Sequence, residues 1–510
     1  MLCEKIDVAS RPRDPRYAVL DVATSHAHEY LDGLRSRRVD PGAHIDDLRA
    51  SLARPLTDEG VDPRTVIEDL VRDVEPGLVG SGGPRYFGFV VGGALPVAVA
   101  ADWLVSSWDQ NAVGYALSPA LSVAEEAAGE WVRDLLGLPS TCSIGFVTGG
   151  QMANFTCLAA ARNAVLRDAG WDVEGAGLAG APSLRVFAGD DVHMTIKVAC
   201  RMLGLGANRV RMVAADDQGR MIPAELALAL AEHDGPAIVC AQAGEINTGA
   251  FDPFADIVEI CRARGAWCHI DGAFGLWAAA SPAHRRLLDG YEGADSWATD
   301  AHKWLNVPFD CGIAAVADRH AHQAATAPSK IACIPAHCGD VPWGSDWTPE
   351  LSRRARGVPL YAALRALGRS GLATMIDRCC EHAQRMAERL AQADGVEIVN
   401  DVVLNQVLVR FAADDAVTAA VVEHVQREGT CYPSPSTFRG RAVMRISIVG
   451  WQTTTQDIDR SADAILRAAA TRMSPPVPVG AHVAGGGLRD DQATQHGPSC
   501  SPRHSRASES

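Results

Sequence analysis

The chain has 510 residues, of which 47% are hydrophobic and 21% are charged, enough to build two or three domains around a large core. Its 62 acidic and 47 basic residues give a formal net charge of −15, which argues against nucleic acid or an anionic membrane as the partner. The first residues lack the apolar core of a signal peptide and no run is long enough to span a bilayer, so we expect a cytoplasmic protein.

Fourteen cysteines are scattered along the chain, and none of them form a pair with CxxC spacing. A small secreted domain would use them as disulfides, whereas a long chain without such pairs is expected to keep them as reduced core thiols. The adjacent Cys379 and Cys380 fall on a helical pattern and point to different faces. We therefore predict no disulfide framework and no metal site.

The first 110 residues divide into a polar helical segment and a glycine-rich loop. Residues 1 to about 80 carry helical patterns at Tyr17–Ser36 and at 63–74. The following segment, 81–112, combines glycines with aromatic and apolar residues, and its small residues let the backbone approach a ligand closely. Aromatic side chains in such a loop are equally compatible with a simple core role.

A candidate phosphate turn follows. Residues Ser143–Val147 are predicted to form a strand, and a helix is predicted from Met152 to Leu166, with the turn Thr148-Gly149-Gly150-Gln151 between them. In a strand, glycine-rich turn and helix, the amide N–H groups and the helix N-terminus bind a phosphate. A turn with two glycines is weak evidence taken alone.

Further buried strands are predicted to alternate with helices, which indicates a mainly parallel sheet with helices on both faces. These strands are expected at 184–188, 237–241 and 266–270. Ligands of such sheets gather at the carboxyl ends of the strands. Asp252-Pro253 reads as a helix N-cap with the first helical residue, so we expect Asp252 to be structural.

Asp271 ends the strand at 266–270, and Lys303 is the only lysine between Lys197 and Lys330. A strand-end carboxylate followed by a lysine is what a pyridoxal phosphate site requires. The lysine supplies an amine for a Schiff base, and the carboxylate keeps the ring nitrogen of the cofactor protonated. Taken singly, the two residues are also compatible with an N-capping aspartate and a surface lysine.

The stretch HIDGAFGLW, followed by ADSWATDAHKWLNVPFDCG, resembles the group II pyridoxal-phosphate decarboxylases, relatives of aromatic-L-amino-acid and glutamate decarboxylases. The resemblance covers roughly residues 84 to 470. It implies a fold type I, pyridoxal-phosphate-dependent transferase-like α/β architecture, with a mainly parallel large domain at 81–370 and a smaller C-terminal α+β domain at 371–470. It also implies a homodimer with a shared active site, in which residues 1–80 pack on the partner subunit.

The resemblance also assigns roles to individual residues. Lys303 would hold the cofactor, Asp271 would contact its ring nitrogen, and His193 would stack over its ring. Phe89 to Val91 would line the substrate pocket. The remaining cofactor contacts implied by the family are Gly150, Gln151, Ala273, Asn247, Ser296 and His302. Position 300, usually Asn in the animal enzymes, is Asp here, and an anion beside a phosphate would be repulsive unless it is turned to backbone donors or an arginine.

The second half of the chain carries a possible lid and a long helix. The stretch 320–348 lacks clear periodicity and is long enough for a mobile lid. The sequence Thr348-Pro349-Glu350 is typical of a helix start. Three arginines after it would bind a substrate carboxylate or phosphate, or would be exposed helix charges: Arg353, Arg354 and Arg356. Residues 471–510 lack apolar periodicity, so we predict a disordered tail.

The family places a proton-donating tyrosine on its lid, and this chain has none between Lys303 and Tyr361. Lys330 stands at the corresponding position, and His337 is a second possible donor. Lys330 would donate the proton if burial lowers its pKa, or it would bind a substrate anion, or it is a solvated lysine on a loop. Without a competent donor, oxygen would intervene and the product would be an aldehyde.

Three hypotheses follow. The first is a pyridoxal-phosphate-dependent decarboxylase acting on an L-amino acid, with Lys303, His193, Asp271 and Lys330 as catalytic residues. The second is the oxidative variant on the same fold, in which decarboxylation is coupled to deamination. The third is a cofactor-binding pseudoenzyme that acts as a structural partner, which the retention of Lys303, Asp271 and His193 disfavours.

Overall fold

Two β-sheets organise the computed structural model, which describes residues 14–328, 341 and 343–473. Strands form where β-branched and small apolar residues run without interruption. In chain order they are β1 (Tyr86–Phe87), β2 (Ser143–Val147), β3 (Arg185–Gly189), β4 (Arg211–Val213), β5 (Ala237–Gln242), β6 (Trp267–Asp271), β7 (Ser296–Asp300), β8 (Gly312–Val316), β9 (Val396–Ile398), β10 (Gln406–Phe411), β11 (Tyr432–Phe438) and β12 (Arg441–Ser447).

The helices connect and cover these strands. In chain order they are α1 (Val19–Gly33), α2 (Ile45–Leu52), α3 (Pro63–Val74), α4 (Pro96–Trp108), α5 (Pro119–Leu135), α6 (Gly150–Asp168), α7 (Val173–Ala176), α8 (Met194–Met202), α9 (Pro223–Ala231), α10 (Phe254–Arg264), α11 (Ala301–Trp304), α12 (Arg319–Thr326), α13 (Gly357–Leu390), α14 (Asp415–Glu428) and α15 (Thr455–Met473). No helix in the described ranges is both long and apolar enough to cross a membrane.

The large sheet has the strand order β2-β8-β7-β6-β5-β3-β4. The strands β4, β3, β5, β6 and β7 pair in parallel, and β8 runs antiparallel to both of its neighbours. The carboxyl ends of β2, β3, β5, β6 and β7 therefore lie along one edge. The predicted α/β fold with a mainly parallel sheet is confirmed.

Helices cover both faces of this sheet because alternate residues of each strand point to opposite sides. In β5, Ile238 and Cys240 belong to the cluster formed with α6 and α8. The intervening Val239 and Ala241 belong to the larger cluster, which contains residues of α5, α9, α10 and α13. The strand is buried along its whole length, which explains its uninterrupted apolar sequence.

The second sheet has the order β1-β11-β12-β10-β9, with α14 packed on it and α15 packed on α14 and α13. Its strands are antiparallel except for β1, which pairs with β11 in parallel. The short strand Tyr86–Phe87 thus joins a sheet built otherwise from residues beyond 395. The glycine-rich loop that follows β1 is held beside this sheet, since the Phe89 N–H donates to Ser434 Oγ at 3.1 Å.

The predicted helix start at Thr348 is wrong, because α13 begins at Gly357. The three arginines before it are instead held by acids from other elements. Arg353 forms a buried pair with Glu125 at 2.7 Å, Arg354 pairs with Asp102 at 2.6 Å, and Arg356 pairs with Asp310 at 2.7 Å. Because each guanidinium is already paired with an acid, these arginines are not available to bind a substrate carboxylate.

Two other expectations are corrected. Asp252 does not cap α10, whose N-cap is Pro253; its carboxylate accepts the N–H groups of Met221 and Gln242, both at 2.7 Å. Its role is still structural, and burial raises its pKa to about 7.

Helix α15 continues to Met473, beyond the predicted start of the tail, and residues 474–510 lie outside the described residues. Every cysteine of the described part is buried and free of disulfide bonds.

Candidate active site

The predicted phosphate turn lies at the edge where the strands of the large sheet end. Gly149 caps the 19-residue helix α6, and Gly150 is its first residue. A Cβ at Gly150 would lie 2.8 Å from Asp300 Oδ2, and one at Gly149 would lie 3.2 Å from His302 Cε1. Only glycine leaves this space open. The free N–H groups of the helix N-terminus therefore face a gap suited to an anion.

Lys303 lies opposite this turn, on the short helix α11 directly after β7. Its Nζ is 3.1 Å from Asp300 Oδ2, and its side chain is 19% exposed whereas that of Asp300 is 2% exposed. The other carboxylate oxygen of Asp300 is buried and accepts no hydrogen bond within the described part of the chain. Asp300 is thus turned toward Lys303, neither toward backbone donors nor toward an arginine.

His302 completes this side of the site. Its Nδ1 accepts the backbone N–H of Cys311 at 3.1 Å, and its ring lies against Phe309 with centroids 4.4 Å apart. Burial lowers the pKa of His302, so the ring is neutral and its proton is on Nε2. That Nε2 is 3.6 Å from Asp300 Oδ1 and adjoins the glycine turn. It can donate to an anion bound there.

Asp271 lies at the end of β6, where the resemblance predicted a contact to a ring nitrogen. Its Oδ2 accepts from Asn154 Nδ2 at 2.8 Å and from Thr195 Oγ1 at 3.4 Å, and its Oδ1 accepts the N–H of Ala273 at 3.2 Å. All three donors are neutral. They solvate the carboxylate and leave its charge uncompensated.

His193 is the N-cap of α8, and its Nδ1 accepts the N–H of Thr195 at 3.4 Å and lies 2.9 Å from Thr195 Oγ1. Burial is the main cause that lowers the pKa of His193; Asp271 raises it, while Lys303 and Arg445 lower it further. These charged groups therefore surround one imidazole. The structure brings His193, Asp271, Lys303 and the glycine turn together.

Two other predicted contacts, Gln151 and Asn247, have different surroundings. Gln151 Nε2 lies 3.8 Å from the sulfur of Met202 and points out of the turn. Asn247 donates to Glu245 Oε1 at 3.1 Å and accepts from Ser436 Oγ at 2.6 Å, which ties the loop after β5 to β11.

Ser296 is the first residue of β7, at the opposite end of the strand from Asp300. At about 3.3 Å per residue, a phosphate at the turn is roughly 13 Å away from it. Ala273 adjoins Asp271, and its carbonyl accepts the N–H of Asp300 at 2.9 Å. The predicted Lys330 and His337 lie outside the described residues.

Sequence reasoning missed Arg445 on β12. It is 8% exposed, and within the described ranges its side chain forms no hydrogen bond and no ion pair, with its Nε buried. Burial lowers the pKa of its guanidinium, and Glu245 opposes this effect. A basic residue inside the apolar strand sequence RAVMRIS was the available signal.

Comparison with known proteins decides the family. The model of the pyridoxal-dependent decarboxylase conserved domain matches residues 46–412. The chain belongs to the pyridoxal-dependent decarboxylase family. Aromatic-L-amino-acid decarboxylase of Bacillus atrophaeus is 26% identical over 465 residues, 88% of this chain and 94% of that protein. Cysteine sulfinic acid decarboxylase of Mus musculus is 30% identical over 377 residues, 71% of this chain and 74% of that protein.

The crystal structure of Oryza sativa TDC with PLP and tryptamine has the same fold, with a TM-score of 0.84 at 24% identity over 91% of this chain and 100% of that one. The family identifies the protein as a carboxy-lyase whose cofactor is pyridoxal 5′-phosphate (PLP). The described residues fit PLP, since a glycine turn, a lysine amine and an uncompensated carboxylate meet at one edge. Among the described residues, the carboxylate of Asp300 lies against the glycine turn.

Proposed function

We propose that the protein decarboxylates an L-amino acid with PLP bound through Lys303. The observation that carries this proposal is the convergence at one sheet edge of the Gly149–Gly150 turn, the Lys303 amine, the Asp271 carboxylate and the His193 ring. Bound PLP supplies an acceptor for the electron pair that is released when the Cα–carboxylate bond breaks. The residues around it orient the substrate and control where protons go.

Each residue has a distinct task in this proposal. The helix N-terminus at Gly150 and the Nε2–H of His302 bind the phosphate. Asp271 holds a proton on the ring nitrogen, because its neutral donors leave its charge free for that cation. His193 would cover one face of the ring, and because burial lowers its pKa, a neutral imidazole would add no positive charge there.

We assign Arg445 to the substrate. A buried guanidinium without an acidic partner in the described ranges is costly, and a carboxylate that enters beside it would offset that cost. The charge of Arg445 acts on His193, and Glu245 acts on Arg445, which supports a position for the guanidinium beside the site. We therefore expect the enzyme to bind its substrate less tightly when the guanidinium is removed.

The oxidative variant remains as the second candidate, since no tyrosine lies between Lys303 and Tyr361. In that reaction one amino acid, one O₂ and one water give an aldehyde, CO₂, ammonia and H₂O₂. Simple decarboxylation consumes no oxygen and places a proton on Cα. The two reactions differ in whether a protein group, Lys330 or another, delivers that proton before oxygen reacts.

A product assay on the PLP-loaded enzyme tests the function. Aromatic, acidic and basic L-amino acids are supplied while CO₂, amine, aldehyde and oxygen consumption are measured together. Amine without oxygen consumption supports the simple decarboxylase, and aldehyde with equimolar H₂O₂ supports the oxidative variant. Absence of CO₂ from every substrate, with the Lys303→Ala variant as the blank, would overturn both.

We also propose that the working enzyme is a homodimer. Apolar residues of α1 and α4 are exposed, including Leu20 at 55% and Trp108 at 48%, and Trp103 lies edge-on to His28 at 6.3 Å, so the two helices share one surface. A second copy of the chain would cover it. Co-expression of Lys303→Ala and Lys330→Ala subunits tests sharing of the site, because activity returns only if the segment around Lys330 acts on the partner.

A further inference from the structure

A line of buried polar groups runs from Asp271 into the core, away from the site edge. Asn154 Oδ1 lies 2.9 Å from His269 Nε2, His269 Nδ1 lies 3.0 Å from Ser296 Oγ, and Trp267 Nε1 donates to Ser296 Oγ at 2.8 Å. Every member is at most 7% exposed. Buried polar groups are costly unless each is hydrogen-bonded, and here each one is.

The donor directions follow from the two ends of this line. At one end, the ionised carboxylate of Asp271 can only accept, so the amide NH₂ of Asn154 points toward it and the amide oxygen faces His269. The His269 proton is therefore on Nε2. At the other end, the indole of Trp267 can only donate, so the Ser296 hydroxyl accepts from it and donates to His269 Nδ1.

Both ends thus require the same state of the imidazole: neutral, with the proton on Nε2. Burial independently favours this state, since it lowers the pKa of His269 to about 4. All donors run in one direction, from Trp267 through Ser296, His269 and Asn154 to Asp271. In a water-excluded interior each hydrogen bond polarises the next and strengthens it.

Asn154 is the junction of this line. Its second N–H is 3.2 Å from Thr195 Oγ1, whose hydroxyl lies 2.9 Å from His193 Nδ1. One amide therefore fixes the carboxylate proposed to contact the ring nitrogen and, through Thr195, the imidazole proposed to cover the ring. The groups that face Asp271 are neutral donors from α6 and α8 together with the N–H of Ala273.

We propose that Asn154, backed by His269, Ser296 and Trp267, is a positioning residue that holds the carboxylate of Asp271 aimed at the ring nitrogen of PLP. The inference rests on the proposed function of Asp271 and extends it to the four residues behind that carboxylate. It also gives Ser296 a role, the support of Asp271 from behind, that differs from the predicted phosphate contact. The effect of each residue decreases with its distance from Asp271 along the line.

The test compares two cofactors. The cofactor-free enzyme is titrated with PLP and with 1-deaza-pyridoxal phosphate, in which a C–H group replaces the ring nitrogen, and both dissociation constants are measured by tryptophan fluorescence. The wild-type enzyme is expected to prefer PLP. Asn154→Leu should reduce that preference by about tenfold, because a hydrogen bond to a charged group is lost. Ser296→Ala should reduce it by about two- to threefold.

Two matched controls separate positioning from general damage to the core. Asn163→Leu changes another buried asparagine of α6, which contacts Glu174 at 3.4 Å and does not contact Asp271. Ser143→Ala breaks another buried serine–histidine pair, since Ser143 Oγ lies 2.8 Å from His322 Nδ1. Both controls should keep the full preference for PLP over the analogue.

The outcomes distinguish this inference from the proposed function. If wild type prefers PLP and Asn154→Leu keeps the whole preference, the positioning role is overturned and the role of Asp271 stands. If wild type binds both cofactors equally, the contact of Asp271 with the ring nitrogen is itself overturned. Should Asn154→Leu fail to fold, Ser296→Ala, which removes a single oxygen from a fully buried position, decides in its place.

Discussion

Two buried aspartates end neighbouring strands of the same sheet, and the groups that contact their carboxylates differ in charge. Asp271, at the end of β6, accepts hydrogen bonds only from neutral groups. Asp300, at the end of β7, lies 3.1 Å from the ammonium of Lys303 and keeps one oxygen without a hydrogen bond in the described part of the chain. Neutral donors preserve the charge of Asp271 for an incoming cation, whereas a cation already compensates the charge of Asp300.

The comparison shows that residue type and position in the sheet do not set the role of a strand-end carboxylate. The side chains contributed by helices decide it. Helix α6 brings Asn154 to Asp271, and the short helix α11 brings Lys303 back toward Asp300. The same pattern of one acid after a buried strand therefore yields a carboxylate with neutral donors, the proposed contact of the ring nitrogen, in one case and a partner for the lysine in the other.

The largest expected effect is that of Asp271→Asn. The variant would lose the charge that holds the proton on the ring nitrogen, and a broken buried charge pair of about 4 kcal/mol corresponds to a decrease in kcat of roughly a thousandfold. The measurement is the initial rate of CO₂ release at saturating PLP. An activity within about tenfold of wild type would show that Asp271 does not act on the ring.

Asp300→Asn should have the opposite effect on cofactor binding. The variant removes an anion beside the phosphate and also frees the Lys303 amine from its ion pair, so we expect PLP affinity to rise about tenfold or more. The quantity to measure is the dissociation constant of PLP for the cofactor-free protein, side by side with Asp271→Asn. A loss of affinity would show that Asp300 supports the phosphate and does not repel it.

Arg445→Met tests a third buried charge, a cation without an acidic partner in the described ranges. We expect KM for the substrate to rise by roughly 10- to 100-fold, since one charge-assisted hydrogen bond contributes about 1.5–3 kcal/mol, while the PLP affinity stays unchanged. Arg410→Met is the matched control, because Arg410 is also buried, lies on the neighbouring β10 and pairs with Asp415 at 2.7 Å. An equal rise in KM in both variants would refute a specific role for Arg445.

The sequence was sufficient to locate those site residues that short, local motifs identify. The strand end and the lysine predicted Asp271 and Lys303, the family resemblance added Gly150 and His193, and the structure brings these four together. Ser296 is different, because it is close to Lys303 in sequence but a whole strand separates it from the turn. Residues that are close in sequence lie far apart in space when they stand at opposite ends of an extended strand.

Contacts between residues far apart in sequence explain the other differences between the predictions and the structure. The ion pair of Arg353 joins residues 228 positions apart, and no local pattern contains that information. Strand β11 escaped prediction because it includes Pro433 and Pro435, which are unfavourable inside a sheet. Pro433 pairs with Phe87 of β1, a strand of only two residues, which the sequence placed in a loop.

The last prediction concerns stability and compares two buried, neutral histidines, His269 and His322. Burial lowers the pKa of His269 to about 4 and that of His322 to about 3, both below the unfolded value of 6.5. The unfolded chain therefore binds more protons below pH 6.5, so each histidine destabilises the fold progressively as pH falls from 6.5 toward its folded pKa. At pH 5 the loss is about 2 kcal/mol for each histidine relative to pH 7.

His322→Gln should lose this share of the acid sensitivity and keep the preference for PLP over its deaza analogue, because His322 lies far from Asp271 along the sheet. His269→Gln should lose a similar share of the acid sensitivity and also weaken that preference. Urea unfolding at pH 7 and pH 5 gives the first quantity for both variants. If the two variants agree in stability and differ in cofactor preference, then burial alone keeps both rings neutral, and only the connection to Asn154 turns one of them into support for the active site.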